Sequence, residues 1–186
     1  MTENVGFKEW QVICDALGSG RQSIILRKGG IHEGRAGFSF EHSQFFLFPT
    51  RFHAQAEKVR EGNVGPLTEW ELGDRIPIRH HVEVLRTLMI DDWHRVSALE
   101  PIHIYQPETI RERFEWQGKG VSGTGIQIAL VRVFELSAPW TITYEGSMRG
   151  CRSWIQMPDP PSGWNESMRP VLAAAEIDRI DQLLGT

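Results

Sequence analysis

The spacing of apolar positions changes period several times along the chain, and each change marks an expected element. Residues 6–17 (GFKEWQVICDAL) place Trp10, Val12, Ile13, Ala16 and Leu17 mostly on one face at helical spacing, and Gly18 and Gly20 stop that helix. Residues 22–27 (QSIILR) are a short apolar, β-branched run, expected as a buried strand that Lys28, Gly29 and Gly30 end in a turn. Residues 44–48 (QFFLF) predict a second strand, stopped by Pro49, and residues 52–62 predict a helix closed by Gly62. Residues 63–75 read as a loop. From Val82 to Ile90 the pattern fits a strand, although Leu85 and Met89 break strict alternation. Asp91 and Asp92 introduce a helical turn through Leu99, and Pro107 occupies the favoured first position of a further helix. Residues 125–136 (GIQIALVRVFEL) give the clearest strand. Residues 140–144 and 152–157 predict two shorter ones, and residues 173–184 an amphipathic helix with Ile177, Ile180, Leu183 and Leu184 on its apolar face.

Strands and helices do not alternate as in a βαβ series. The order predicts an α+β fold, with a mostly antiparallel, barrel-like sheet flanked by helices. At 186 residues the chain suits a single domain spanning residues 1–186. The Gly-rich stretch 118–125 is expected as a hairpin connection within that domain.

Composition narrows the function classes. The net charge of −4 argues against a protein dedicated to gripping a phosphate backbone, but leaves room for a local basic cleft. Residues 1–8 lack the apolar core of a signal peptide, and no run approaches the ~20 apolar residues of a membrane helix, so a cytoplasmic location is expected. Cys14 and Cys151 stand far apart and outside any C-x-x-C pair, which points to two buried thiols in a reducing compartment. The seven histidines are scattered and H-E-x-x-H is absent, so neither a metal nor another cofactor is expected.

Arg27-Lys28-Gly29-Gly30 carries the most distinctive chemistry. Two cations followed by two glycines can present free backbone N–H groups and positive charge to a phosphate or carboxylate; a strand-ending turn with solvated charges accounts for the same residues. Arg51 and His53 leave a second strand end, where Thr50 also suits a helix cap. Several enzyme signatures are missing. No P-loop occurs, and no G-x-S-x-G elbow. The residues two before Lys8, Lys28, Lys58 and Lys119 are Gly6, Leu26, Ala56 and Gln117, so the acid–x–lysine pattern of restriction-type nucleases is absent. Cys151 beside Arg152 can have a lowered pKa, but a buried thiol packed near Trp154 explains the segment better.

Five stretches together resemble one bacterial family: KEW (8–10), ILRKGGI (25–31), FLFPT (46–50), VRVFEL (131–136) and GCRSW (150–154). That family is the domain of unknown function 1802, and the likeness runs from about residue 8 to residue 184; it implies no particular mechanism. A fainter likeness is to the ASCH branch of PUA-like barrels, whose pattern G-x-K-x-x-E-x-R is met here by Gly20 and Arg27, with Gln22 and Ile25 at the Lys and Glu positions. The ASCH likeness implies a PUA-like fold and an association with RNA or modified nucleotides.

The leading expectation is therefore a binding module. A cleft at the end of the sheet, with Arg27, Lys28, Gly29, Gly30, Arg51, His53 and Arg132 as ligand-binding residues, would hold a nucleotide or a nucleic-acid segment. The alternatives are a hydrolytic enzyme pairing His53 with Glu9 or Glu41, and a protein-interaction domain marked by an exposed apolar patch.

Overall fold

The computed structural model describes residues 4–27, 40–51, 53–115 and 125–185. Its first segment departs from the expected helix. Residues Val5–Trp10 form strand β1, and the helix α1 starts only at Gln11 and runs to Gly18. The strand wins because its side chains have a sheet to enter. Phe7 is fully buried against Phe45 and Trp154, with ring centroids 5.1 and 4.7 Å away. Gly6 lets Met157 cover the strand, since a Cβ there would lie 2.3 Å from the Met157 sulfur. Tertiary packing overrides the helical spacing up to Trp10 and agrees with it from Val12 onward.

The other strands are β2 (Ile24–Arg27), β3 (Gln44–Thr50), β4 (Arg75–Ile90), β5 (Ile126–Thr143), β6 (Trp154–Gln156) and the two-residue β7 (Arg169–Pro170). They pair in the order β2-β5-β4-β3-β1-β6, with β7 added beside β5. Every pair is antiparallel except β1 with β3. The α+β fold and mostly antiparallel sheet are as expected. β5 absorbs residues 140–143, which the pattern had assigned to a separate strand. The register between β4 and β5 slips after Ile78, leaving residues 136–139 without β4 partners. Pro139 lies in that gap, where its missing N–H costs no ladder bond. A second slip, between Val84 and Arg86, explains the broken alternation: Leu85 is the extra residue of a bulge and is exposed.

Four helices accompany the sheet among the described residues: α1, α2 (Trp93–Ser97), α3 (Pro107–Glu115) and α4 (Ala174–Leu184). Asp92 caps α2 by accepting from the His94 N–H at 2.8 Å. The tail helix docks through Ile177 and Leu184, and Arg86 fastens it by donating to Asp181 and to the Gly185 carbonyl; Leu183 stays exposed, outside the expected apolar face. Among the described residues the helix expected over 52–62 does not form. Residues 53–58 form turns, and the backbone at 58–60 bonds to 104–106. Those turns send Gln55, fully buried, to accept from the Val12 N–H at 3.1 Å and so cap α1, for which Trp10 provides no side-chain cap. The stretch 116–124, with most of the expected hairpin connection, lies outside the described residues and stands between α3 and β5.

The apolar interior has two parts. The larger gathers Phe7, α1, β2, Tyr105 and much of β5. The smaller is built from Phe46, Phe48, Ile76, Ile78, Trp140, Ile142 and their neighbours. No helix among the described residues is long and apolar enough to cross a membrane.

Candidate functional site

β1 and β3 run parallel, so their C-terminal ends emerge side by side, with Trp10 opposite Thr50. β2 sits four pairings away from β1, about 19 Å if the sheet were flat. Yet the Arg27 guanidinium donates to the Lys8 carbonyl at 2.5 Å and lies 3.3 Å from the Glu9 carboxylate. The sheet therefore curls until its two sides meet at Arg27. At that meeting point opens a cleft of about 520 Å³.

Among the described residues its cationic lining comes from three places: Lys8 and Arg27 on strands, Arg51 after β3, and Arg149 and Arg152 in the loop before β6. Glu69 supplies a carboxylate, while Trp10, Phe48, Trp70 and Tyr144 supply aromatic surface. Lys8 holds one wall in place by donating to the carbonyls of Met148 (2.8 Å) and Gly150 (2.6 Å). Burial lowers the Lys8 pKa, the neighbouring Cys151 opposes that shift, and Arg152 adds to it.

Arg27 is the most constrained of the cations. Glu9, fully buried, faces it; Phe7 lies 4.7 Å beneath the guanidinium; the Lys8 carbonyl takes one of its N–H groups. Glu9 is held in turn by the Trp10 N–H at 2.7 Å, and Thr50 donates to the Glu9 carbonyl at 2.9 Å. Behind them Arg113 stacks between Trp10 (4.7 Å) and Tyr105 (4.4 Å) and donates to the Leu26 carbonyl. Burial first, and Glu9 further, push the Tyr105 phenol up to about 12, against the opposing pull of Arg113 and Arg27. Arg51 pairs with Glu69 at 3.1 Å. Arg149 and Arg152 make no ion pair or side-chain hydrogen bond among the described residues.

Of the residues expected to bind ligand, Arg27, Arg51 and His53 share this cleft. Lys28, Gly29 and Gly30 lie outside the described residues. Arg132 is elsewhere: it crosses from β5 to Glu83 on β4 at 3.4 Å and does not line the cleft. The spacing missed Lys8, Arg149 and Arg152. A signal existed for the last two, because R-G-C-R puts two arginines around a glycine just before a strand. The described residues join His53 to neither Glu9 nor Glu41, and Glu9 is engaged by Arg27 and Trp10. The expectation of two buried thiols holds for Cys14, whose pKa burial raises well above its ordinary value. It fails for Cys151, which is exposed on the cleft wall because its loop leaves the sheet before β6 begins. No group of three metal-binding side chains forms among the described residues.

The chain belongs to the family described as domain of unknown function DUF1802, whose model matches residues 6–182. Among solved structures it is similar to ASCH from Zymomonas mobilis, at 11% identity over 85% of this chain and 90% of that one, with a TM-score of 0.50. A tyrosine-to-phenylalanine mutant of that protein matches at 11% identity over 84% of this chain and 91% of that one, with a TM-score of 0.49. No curated protein matches the sequence. At this identity the likeness concerns the fold alone. At the two positions where this chain departs from the ASCH pattern, Gln22 and Ile25 are both buried. Gln22 spends its side chain on the Ile24 carbonyl and the Ile104 N–H, a structural tie between β2 and the segment after α2.

Proposed function

We propose that the cleft between the ends of β1, β2 and β3 binds a nucleotide or a short single-stranded nucleic-acid segment. The observation that carries this reading is charge segregation. Among the described residues five cationic side chains line the cleft, against Glu69 on its lining and Glu9 behind Arg27, on a chain whose net charge is −4. Cationic side chains concentrated in a concave site attract phosphate and release its counterions. The volume, about 520 Å³, suits a ligand of nucleotide size. Trp10, Trp70 and Tyr144 add ring surface next to the charges, and a base stacked on such a ring gains roughly 1–3 kcal/mol.

Arg149 and Arg152 provide the test, since both are exposed and free of ion pairs among the described residues. Fluorescence anisotropy of labelled single-stranded RNA and DNA, with mononucleotides as competitors, is measured at low and moderate salt. The wild type is expected to bind more weakly as salt rises. The Arg149→Ala/Arg152→Ala variant is expected to retain its thermal stability, bind at least about tenfold more weakly and lower the salt slope by about two. Absence of binding to every oligonucleotide and mononucleotide at low salt rejects the reading.

A further inference from the structure

The cleft contains a feature that opposes anion binding. Glu69 lies in the 63–74 loop, and its carboxylate sits 3.1 Å from the Arg51 guanidinium, within the same lining. We propose that Glu69 is an internal stand-in for the ligand's anion: it pairs with Arg51 and yields it when a phosphate arrives. This inference rests on the anionic-ligand reading of the same site.

The geometry limits the movement to one side chain. The loop is fastened on both sides of Glu69. Before it, Gln11 donates to the Pro66 carbonyl and accepts from the Thr68 N–H, both at 3.0 Å. After it, Glu71 N–H donates to Asp74 at 2.8 Å, and Gly73 N–H donates to the Tyr144 carbonyl at 3.0 Å. Trp70, adjacent to Glu69, packs against the smaller apolar cluster and so resists displacement of the backbone. Glu69 itself is 62% exposed and Arg51 34%, so water and salt already weaken their attraction. A pair of this kind is cheap to break, in contrast to the buried Arg27–Glu9 pair at the back of the same cleft. The arrangement makes Arg51 a conditional phosphate contact. A ligand bearing only a weak or diffuse negative charge leaves it paired with Glu69, whereas a phosphate competes for it directly.

A double-mutant cycle tests this, with a labelled single-stranded oligonucleotide and, separately, pyrophosphate as probes. Glu69→Gln keeps the shape and removes the charge. It is expected to tighten oligonucleotide binding about two- to fivefold, the range of an exposed ion pair, with the salt slope nearly unchanged, because Arg51 meets the phosphate in both complexes. In the Arg51→Ala background the same substitution is expected to change affinity by less than about twofold, because the competition it relieves no longer exists. An equal gain in both backgrounds overturns the proposal, since it would report only the lost charge. Unchanged or weaker binding by Glu69→Gln overturns it too. Tighter pyrophosphate binding by Glu69→Gln, lost in the Arg51→Ala background, while the wild type binds no oligonucleotide, would reject the nucleic-acid reading and retain this role for Glu69. Failure of every protein to bind either probe removes both.

Discussion

Two arginine–glutamate pairs in this molecule have nearly the same separation and opposite character. Arg27 and Glu9 are 3.3 Å apart, with side chains 19% and 0% exposed. Arg132 and Glu83 are 3.4 Å apart, with side chains 35% and 37% exposed. The first pair joins opposite sides of a curled sheet. The second links neighbouring strands already paired by their backbones, at the register Glu83 opposite Arg132. Distance alone makes them equivalent; burial separates them. A carboxylate without water depends on its partner, while one in water does not. The same difference decides which arginine belongs to the cleft. Arg27 is held from three directions, by Glu9, the Phe7 ring and the Lys8 carbonyl.

The largest expected effect comes from breaking the buried pair. Arg27→Ala leaves Glu9 buried and uncompensated, and is expected to cost about 3–5 kcal/mol in urea denaturation. Replacing both partners, Glu9→Met/Arg27→Met, is expected to recover most of that loss, because it also removes the charge that needed compensation. A double variant as unstable as Arg27→Ala would instead assign the effect to packing with Phe7.

The surroundings of the two pairs also respond to acid, through the buried histidines His103 and His81. His103 precedes Tyr105 in the layer behind Glu9, with ring centroids 5.8 Å apart. Burial, then Arg60 and Arg113, lowers its pKa to about 4. His81 is two residues before Glu83, wedged between Phe46 and Trp164, and burial alone lowers its pKa to about 4. Both histidines stay neutral in the fold and charge near pH 6.5 when unfolded. The unfolded chain therefore takes up protons first as pH falls, so stability is expected to decline from about pH 6.5 to about pH 4. Each histidine contributes roughly 2–3 kcal/mol to that decline. His81→Leu should flatten the ΔG-against-pH curve in that window. An unaltered curve would show that the His81 ring is hydrated.

The smallest effect belongs to the exposed pair. Arg132→Ala is expected to change stability by less than about 1 kcal/mol, to lose even that in high salt, and to leave oligonucleotide affinity unchanged. A loss of binding comparable to that of Arg149→Ala/Arg152→Ala would put Arg132 in the ligand's path.

Much of the architecture was readable from the chain because it depends on local pattern. The apolar run of β2, the long alternation of β5, the Asp92 cap and the Pro107 start each act within a few residues. Even the irregularity at Leu85 was visible, as a broken alternation that the fold realises as a bulge. The failures share a cause. Residues 6–10 and 52–62 satisfy helical spacing, but their partners are distant: β3 and β6 for the first, α1 and residues 104–106 for the second. A backbone offered a ladder or a buried cap takes that in preference to a weak local propensity.

Local pattern was enough for the fold class, most strands and all four described helices, the first with its start shifted from residue 6 to Gln11, and it placed Arg27, Arg51 and His53 at element ends. The tertiary structure alone decided that these three share one cleft and that Arg132 does not. It also brought Lys8, Arg149 and Arg152 to the same place and put Glu9 beneath Arg27. The physical reason is the curl of the sheet. Sequence pattern reports which face of an element is apolar, whereas the meeting of β1 with β2, four pairings apart, depends on how twist and bulges accumulate across every strand between them.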